Sequence, residues 1–424
     1  MTIFALSSGA PPAGIAVIRI SGAEAFAAVM RLAGSLPAAR EARVRALRDD
    51  DGNLLDRALV VCFPGPQSAT GEDLAELHCH GGRAVVAALL TALGRIDGLR
   101  PAEAGEFTRR ALGNGRIDLA EARGLADLLS ADTERQRVVA LRAAEGIVSQ
   151  LVNGWLDRLA MLAAMVEAQL DFADEGDVAV EADPLIRVRD AMAALARELA
   201  AVLSEPPVER LRDGIHVVLA GPPNSGKSTL INLLSQREVA IVSPIAGTTR
   251  DRIEVQVVRA GLAFVLTDTA GLTATDDPIE KIGVGLAGSA IDGADILVWL
   301  GDDVPPRTDA IWLHSRADER GREAVPEHRI LAVSRDDRAS IAALWDLIAD
   351  RAERLVPRSD MAALRADERN AVSVAMAAIA EPPLDALLIA EDLRVATRAL
   401  GTILGIDATE AMLDSLFRRF CIGK

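Results

Sequence analysis

The 424-residue chain is expected to fold as several domains of mixed class: an α+β domain first, then a helical domain into which an α/β domain with a largely parallel sheet is inserted. Three observations carry that expectation. Between His216 and Ser334, short apolar runs alternate with helix-length stretches. On both sides of that region the composition turns to Ala, Leu, Arg and Glu with few turn residues, and the first 117 residues hold Val- and Ile-rich runs bounded by Gly, Pro and Asp.

In the N-terminal part, Gly14–Ile20 (GIAVIRI) and Arg57–Phe63 (RALVVCF) read as strands and Arg83–Ile96 as a helix, giving an α+β domain over residues 1–117. From Asp118 to about Arg212 apolar residues recur at three and four spacing, as in long antiparallel helices, with a break at Asp171–Asp177. The same texture returns from Asp360 to Phe420, so segments 118–211 and 357–424 are expected to form one helical domain. Between them, in 212–356, lie the strand candidates His216–Ala220, Ile253–Arg259, Ala263–Asp268, Asp295–Leu300, Ala310–His314 and Arg329–Ser334. One connection is anomalous. Only Gly301–Asp309, with two prolines, joins two of these strands, whereas a parallel crossover usually takes a dozen or more residues and a helix. Either that helix is missing or one strand is misread.

No run of about 18 apolar residues occurs and no basic residue precedes the first apolar run, which points to a cytoplasmic protein with no membrane span. Three scattered cysteines, Cys62, Cys79 and Cys421, make no disulfide framework. The net charge of -16 excludes a chain that grips nucleic acid over its whole surface, so any RNA contact must be local or lent by a partner. Lysine occurs only at Lys227, Lys281 and Lys424; the other 43 of 46 basic residues are arginine. A lysine retained in such a chain points to a place where a compact ammonium is needed.

One such place is GPPNSGKST, Gly221–Thr229, after an apolar strand and at the start of a helix. This is the P-loop pattern: backbone N–H groups of Asn224, Ser225 and Gly226 close on phosphate at a helix N-terminus, Lys227 offers a point charge, the Ser228 hydroxyl suits Mg²⁺, and Thr229 follows. Two further segments follow in the order the chemistry needs. GTTRD offers Thr249 to complete Mg²⁺ coordination, and DTAG (Asp268, Thr269, Ala270, Gly271) places a carboxylate near the metal and an amide near the γ-phosphate. The base-reading segment is degenerate: Ser315, Arg316, Ala317 and Asp318 stand where a GTPase carries Asn-Lys-x-Asp. Asp318 keeps the carboxylate that selects guanine, while Arg316 reads equally as a residue over the base or a solvated one. Ser334 and Arg335 are candidates for a backbone loop near the base. Leu272 stands where small GTPases carry the water-orienting glutamine; Asp276, Asp277 and Glu280 are the nearby carboxylates able to act as general base. His78 and His80 flank Cys79, but alternation along a strand turns them away from the cysteine. Cys421 by itself looks like a thiol on a frayed tail.

Taken together, GIAVIRISG, TGEDLAELHCHGG, GEFTRRA, GRIDLAEA, LDFADE, GPPNSGKST, SPIAGTTRD, DTAGL, IEKIG and the terminal FCIGK give a chain that resembles, nearly end to end, the MnmE (TrmE) tRNA-modification GTPases. The resemblance implies a P-loop GTPase domain inserted into a helical domain and preceded by an N-terminal α+β folate-binding and dimerisation domain. It implies GTP hydrolysis activated by K⁺-dependent pairing of two such domains, with Asn224 and the carbonyls of Ser243, Ile245 and Thr248 holding K⁺. It implies Glu280 as the water-orienting carboxylate and Cys421 in the modification step. Arg19, Glu76, Arg116 and Lys424 match positions implied to contact a tetrahydrofolate derivative; Arg116 stands where lysine is common. The implied partners are a second copy of the chain, an FAD-containing MnmG (GidA)-type protein in a heterotetramer, and tRNA whose wobble uridine receives a carboxymethylaminomethyl-type group. Two rival readings remain: a regulatory or ribosome-assembly GTPase without folate chemistry, and a scaffold with a crippled nucleotide site.

Overall fold

The structure is a computed structural model and describes residues 1–171, 184–235, 239–240, 254–269, 288–358, 360–406, 408–418 and 420–423. The chain divides into two compact units, Met1–Ala126 with Gly401–Lys424, and Asp127–Leu400.

The first unit is built on a six-stranded sheet in the order β3-β4-β5-β2-β1-β6. Its strands are β1 (Thr2–Leu6), β2 (Ile15–Ser21), β3 (Arg43–Arg48), β4 (Leu54–Phe63), β5 (Leu74–His80) and β6 (Leu99–Pro101). The alternation in GIAVIRIS sets its two faces. Ala16, Ile18 and Ile20 are buried with Ala75, Leu77 and Cys79 under the helices Ala25–Ala33 and Arg83–Gly94. Arg19, one step out of phase, pairs across strands with Glu76 on the opposite face. That face is partly covered by the helix Glu106–Gly113, whose Phe107 packs on Ile3, Ala5 and Ala102.

The C-terminal segment belongs to this unit. Helix Glu410–Phe417 seats on Gly105, where a Cβ would stand 2.7 Å from the Phe417 carbonyl oxygen. Beyond it Phe420 is buried, Ile422 bridges to Ala104, and Ser7 Oγ donates to the Gly423 carbonyl at 2.8 Å. The sequence reading of Cys421 as part of a frayed tail is therefore corrected: the thiol is exposed, but the backbone on both sides of it is tied down.

The second unit holds the helices Glu134–Ala144, Ile147–Asp171, Pro184–Ser204 and Ala366–Ile379, and a seven-stranded sheet in the order β13-β12-β11-β7-β10-β9-β8. Its strands are β7 (Ile215–Ala220), β8 (Val239–Ala240), β9 (Glu254–Arg259), β10 (Leu262–Asp268), β11 (Ile296–Trp299), β12 (Ile311–Ser315) and β13 (Leu331–Val333). From β10 through β7 and β11 to β13 all pairing is parallel; β9 and β8 join antiparallel at one edge. Trp345, on the helix Arg338–Glu353, meets Phe264 edge-on in the core beneath. The chain enters and leaves this sheet at points held by one helix start: Gln136 donates to the Leu211 and Arg212 carbonyls, and Arg135 to the Pro357 carbonyl.

Both strands around Gly301–Asp309 form and pair in parallel, so the missing element is the helix. The next crossover, residues 316–330 between β12 and β13, also has no helix. Backbone carbonyls that helices would satisfy are served by side chains instead. Trp312 donates to Gly301 (2.9 Å), Trp299 to Asp303 (2.8 Å) and Arg322 Nε to Ser315 (3.0 Å). Buried Arg329 donates to Gly301 and Asp302, both at 2.9 Å, with its guanidinium 4.0 Å from the centre of the Trp312 ring.

Candidate functional site

At the ends of the parallel strands the second unit has a cavity of about 460 Å³. Its walls are Asn224–Thr229 on one side and Ser315, Arg316, Asp318 and Glu319 on the other, with Arg335 at the edge. Such placement follows from topology, since ligands of open α/β sheets bind outside the carboxyl ends of strands.

The phosphate half is formed by the turn from β7 into the helix Lys227–Ser235. Gly221 has φ 151°, and a Cβ there would press on the Gly301 N and Leu300 C atoms at 3.1 and 3.2 Å, so only glycine suits the turn. Asn224 adopts φ 61°, a left-handed value that asparagine tolerates well. Lys227 is buried, with Nζ donating to the Gly221 and Pro222 carbonyls at 3.0 and 2.9 Å. Burial lowers its pKa from the ordinary lysine value, opposed by the nearby Asp268 carboxylate; an added anion stabilises an ammonium so placed. Ser228 Oγ donates to Asp268 Oδ2, and Thr269 Oγ1 to the Leu219 carbonyl at 3.0 Å. Ser225 Oγ is buried without a hydrogen-bond partner among the described residues. A hydroxyl and a carboxylate side by side, next to an unused buried hydroxyl and a cation, fit a Mg²⁺-phosphate group.

On the wall facing the P-loop, Arg316 is exposed. At φ 59° it turns its guanidinium back onto the P-loop, where Nη1 donates to the Asn224 carbonyl at 3.0 Å while Nε and Nη2 engage Glu319. A Cβ on Gly226 would lie 3.7 Å from the Arg316 Cγ, so the arginine stem runs along the loop. Ser315 is buried and donates to the Leu300 carbonyl at 3.3 Å, joining the ends of β12 and β11. Asp318 is exposed on the cavity wall. Glu319, Leu233 and Val333 line the cavity without having been singled out from sequence; Glu319, three residues after Arg316 with opposite charge, was the legible one. Ser243, Ile245, Thr248, Thr249, Ala270, Gly271, Asp276, Asp277, Glu280 and Lys424 lie outside the described residues.

In the first unit, Arg19 Nη2 donates to Glu76 Oε1 at 2.9 Å, and His78 Nε2 lies 3.1 Å from Glu76 Oε2. Burial raises the Glu76 carboxyl, but the Arg19 and His78 bonds outweigh it and hold the pKa below the ordinary value. Arg116 is exposed, with its Cγ beside the Gly71 turn. Cys79 points to the other face, toward the Ala16 carbonyl, and His80 bonds Asp56.

A phosphate loop at the turn from strand to helix, at the carboxyl ends of parallel strands and facing a wall of Ser315, Arg316, Asp318 and Glu319, defines the class of P-loop nucleotide-binding proteins. The family description "GTP-binding protein TrmE N-terminus" matches residues 2–116 and "MnmE helical domain" matches residues 119–421. Among curated relatives, the tRNA modification GTPase MnmE of Erythrobacter litoralis is 53% identical over 428 residues, covering 100% of both chains. Those of Rhizorhabdus wittichii (53%; 100% of this chain, 96% of the relative) and Zymomonas mobilis subsp. mobilis (47%; 100% of both) align as fully. The chain belongs to the MnmE family.

Proposed function

We propose that this chain is a GTP hydrolase which, with an FAD-dependent partner, adds a carboxymethylaminomethyl-type group to C5 of the wobble uridine of certain tRNAs, with a tetrahydrofolate derivative as carbon donor. The observation that carries the reading is the P-loop cavity, with buried Lys227 beside the Ser228–Asp268 pair, in a chain similar over its full length to proteins named tRNA modification GTPases.

In this reading Lys227 and the Asn224–Gly226 backbone bind the β- and γ-phosphates, and Ser228, with Thr249, holds Mg²⁺. A bound Mg²⁺ would neutralise charge developing on the phosphates. Asp318 accepts from guanine, and Arg316 keeps the base-side wall in register with the phosphate loop. Asn224, Ser243, Ile245 and Thr248 hold K⁺ when two such domains pair, and Glu280 orients the attacking water. Arg19 and Glu76 offer a largely buried donor and acceptor to a reduced folate, with Arg116 and Lys424 as its further contacts. Cys421 acts in the modification step. We assign residues 1–117 to the folate-binding, dimerising domain, 118–211 with 357–424 to the helical domain and 212–356 to the GTPase domain, in a cytoplasmic homodimer that assembles with its partner into a heterotetramer.

Turnover of GTP and of ATP, each in KCl and in NaCl, tests the core of this reading. Potassium-stimulated, guanine-selective hydrolysis is expected; equal turnover of both nucleotides removes Asp318 from its role, and turnover indifferent to Glu280→Ala removes Glu280.

A further inference from the structure

Among the described residues, a second cavity of about 440 Å³ opens in the first unit, between the start of the Glu106–Gly113 helix and the end of the Glu410–Phe417 helix. Arg100, Arg109, Arg110 and Arg418 line it, together with the carboxylates of Glu103, Glu106 and Asp414. These four guanidinium groups fall into two classes. Arg100 and Arg110 both bond Glu106, at 2.6 and 3.1 Å, and that carboxylate side chain is only 12% exposed, so this trio is framework. Arg109 instead pairs with Asp414 and Glu410, whose side chains are 45% and 79% exposed. Exposed pairs of that kind are weak, so a phosphodiester, with two non-bridging oxygens and one negative charge, can compete for the guanidinium. Arg418 is exposed and makes no ion pair among the described residues.

The rim of this cavity is where the C-terminal tail docks. Ala104, one of its lining residues, bridges antiparallel to Ile422, which sets Cys421 in register with Gly105, the residue that caps the helix. A chain of net charge -16 thus presents, beside an exposed thiol, one guanidinium without an ion pair among the described residues and one held only by exposed carboxylates.

We propose that this cavity is an RNA-backbone site, in which Arg109 and Arg418 take a phosphodiester next to the nucleotide undergoing modification, over a floor fixed by Arg100, Arg110 and Glu106. The proposal rests on the tRNA-modifying function argued above. It adds that the acidic chain touches RNA itself, through one local patch, and does not leave that contact wholly to a partner.

The test is equilibrium binding of a fluorescein-labelled, unmodified tRNA transcript to the full-length protein and to Arg109→Ala, Arg418→Ala and the double variant, from about 20 to about 200 mM KCl. Each substitution is expected to weaken binding roughly 3- to 10-fold at low salt and to reduce the slope of log K against log salt by about 1, equally for tRNAs of different anticodon. Arg109→Lys, which keeps the charge, is expected to stay close to wild type, and GTP turnover is expected to be unchanged throughout. Wild-type affinity and slope in the double variant overturn the site, as does a wild-type protein that binds no tRNA at low salt. The functional reading is separable: it fails if the wild-type protein and its FAD partner form no modified uridine, whatever the binding shows.

Discussion

Gly423 is the residue on which docking of the C-terminal tail depends, and replacing it with alanine isolates that dependence. Its φ is +98°, and a Cβ built there lies 2.1 Å from the Leu6 carbonyl oxygen, 2.8 Å from the Leu6 carbonyl carbon and 2.9 Å from the Ser7 Cα. Ordinary carbon contacts are about 3.5 Å or longer, and all three atoms are backbone, so no rotamer change relieves the overlap. The left-handed conformation alone costs a non-glycine residue on the order of 1–2 kcal/mol. Two described attachments oppose release of the tail past Phe420: the Ser7 Oγ bond to the Gly423 carbonyl and the Ala104–Ile422 bridge. At about 1 kcal/mol net each they supply roughly 2 kcal/mol, less than the strain and overlap combined. Gly423→Ala should therefore free the tail, with Phe420 still buried and the melting temperature changed little. Hydrogen exchange followed by mass spectrometry on the C-terminal peptide reads the effect directly, and loss of roughly 2 kcal/mol corresponds to about 30-fold faster exchange at Ile422. Ser7→Ala, which removes one bond without overlap, should give about 5-fold. A Gly423→Ala protein exchanging at the wild-type rate would refute the reasoning, because the tail would then have another way to sit against Leu6.

Arg329→Met keeps an apolar stem against Trp312 but leaves the Asp302 carbonyl without its Arg329 donor and the Gly301 carbonyl with Trp312 alone; a loss of about 2 kcal/mol is expected, seen as a lower urea midpoint, and an unchanged midpoint would mean that water serves the Asp302 carbonyl. For Glu106, burial raises the carboxyl, but the Arg100 bond, the Glu103 N–H and Arg110 together bring the folded-state pKa below the ordinary glutamate value. A carboxylate depressed in this way adds stability that is fully present above its unfolded pKa and is lost as pH falls through the folded one. Acid denaturation should accordingly be less steep in Glu106→Gln than in wild type below about pH 4.5, as read by circular dichroism. Asp127 has the opposite sign: burial raises it against the pull of Arg365 and Arg212, so the stability it subtracts at neutral pH returns as pH falls through that raised value, and Asp127→Asn should remove this gain.

The strands that were legible, β2 and β4 of the first sheet and all but β8 of the second, were so because burial on one face or two writes itself into the sequence, as in GIAVIRIS with one buried face and HVVLA with nearly all of its residues buried. The anomaly at Gly301–Asp309 was legible as a length too short for a helix. Its counterpart between Ser315 and Leu331 was not, since fifteen mostly polar residues are long enough for a helix and only the side-chain bonds of Arg322 and Arg329 show what replaces it. The tail escaped sequence reading for a related reason. Nothing local marks Gly423 as buried; its need for glycine comes from Leu6 and Ser7, at the far end of the chain. Arg316 was ambiguous because its partner, the Asn224 carbonyl, is a backbone atom that no side-chain pattern announces.

The choice of cation now has a structural account on both walls of the nucleotide cavity. At Lys227 the ammonium sits between two carbonyls of the turn that precedes it, 3.0 and 2.9 Å away, in a buried position. A compact ammonium reaches both carbonyls with separate N–H groups, and the turn that carries them is tight: a Cβ on Gly221 would stand 3.1 and 3.2 Å from Gly301 N and Leu300 C. At Arg316 the demand is different: one cation must reach the P-loop carbonyl and a carboxylate three residues away at once, which a guanidinium does with separate nitrogens. Arginine can therefore replace lysine on the base side while the phosphate side cannot change. The departures from the Asn-Lys-x-Asp pattern lie at Ser315 and Arg316, beside crossovers that hold no helix, while the phosphate loop keeps its pattern.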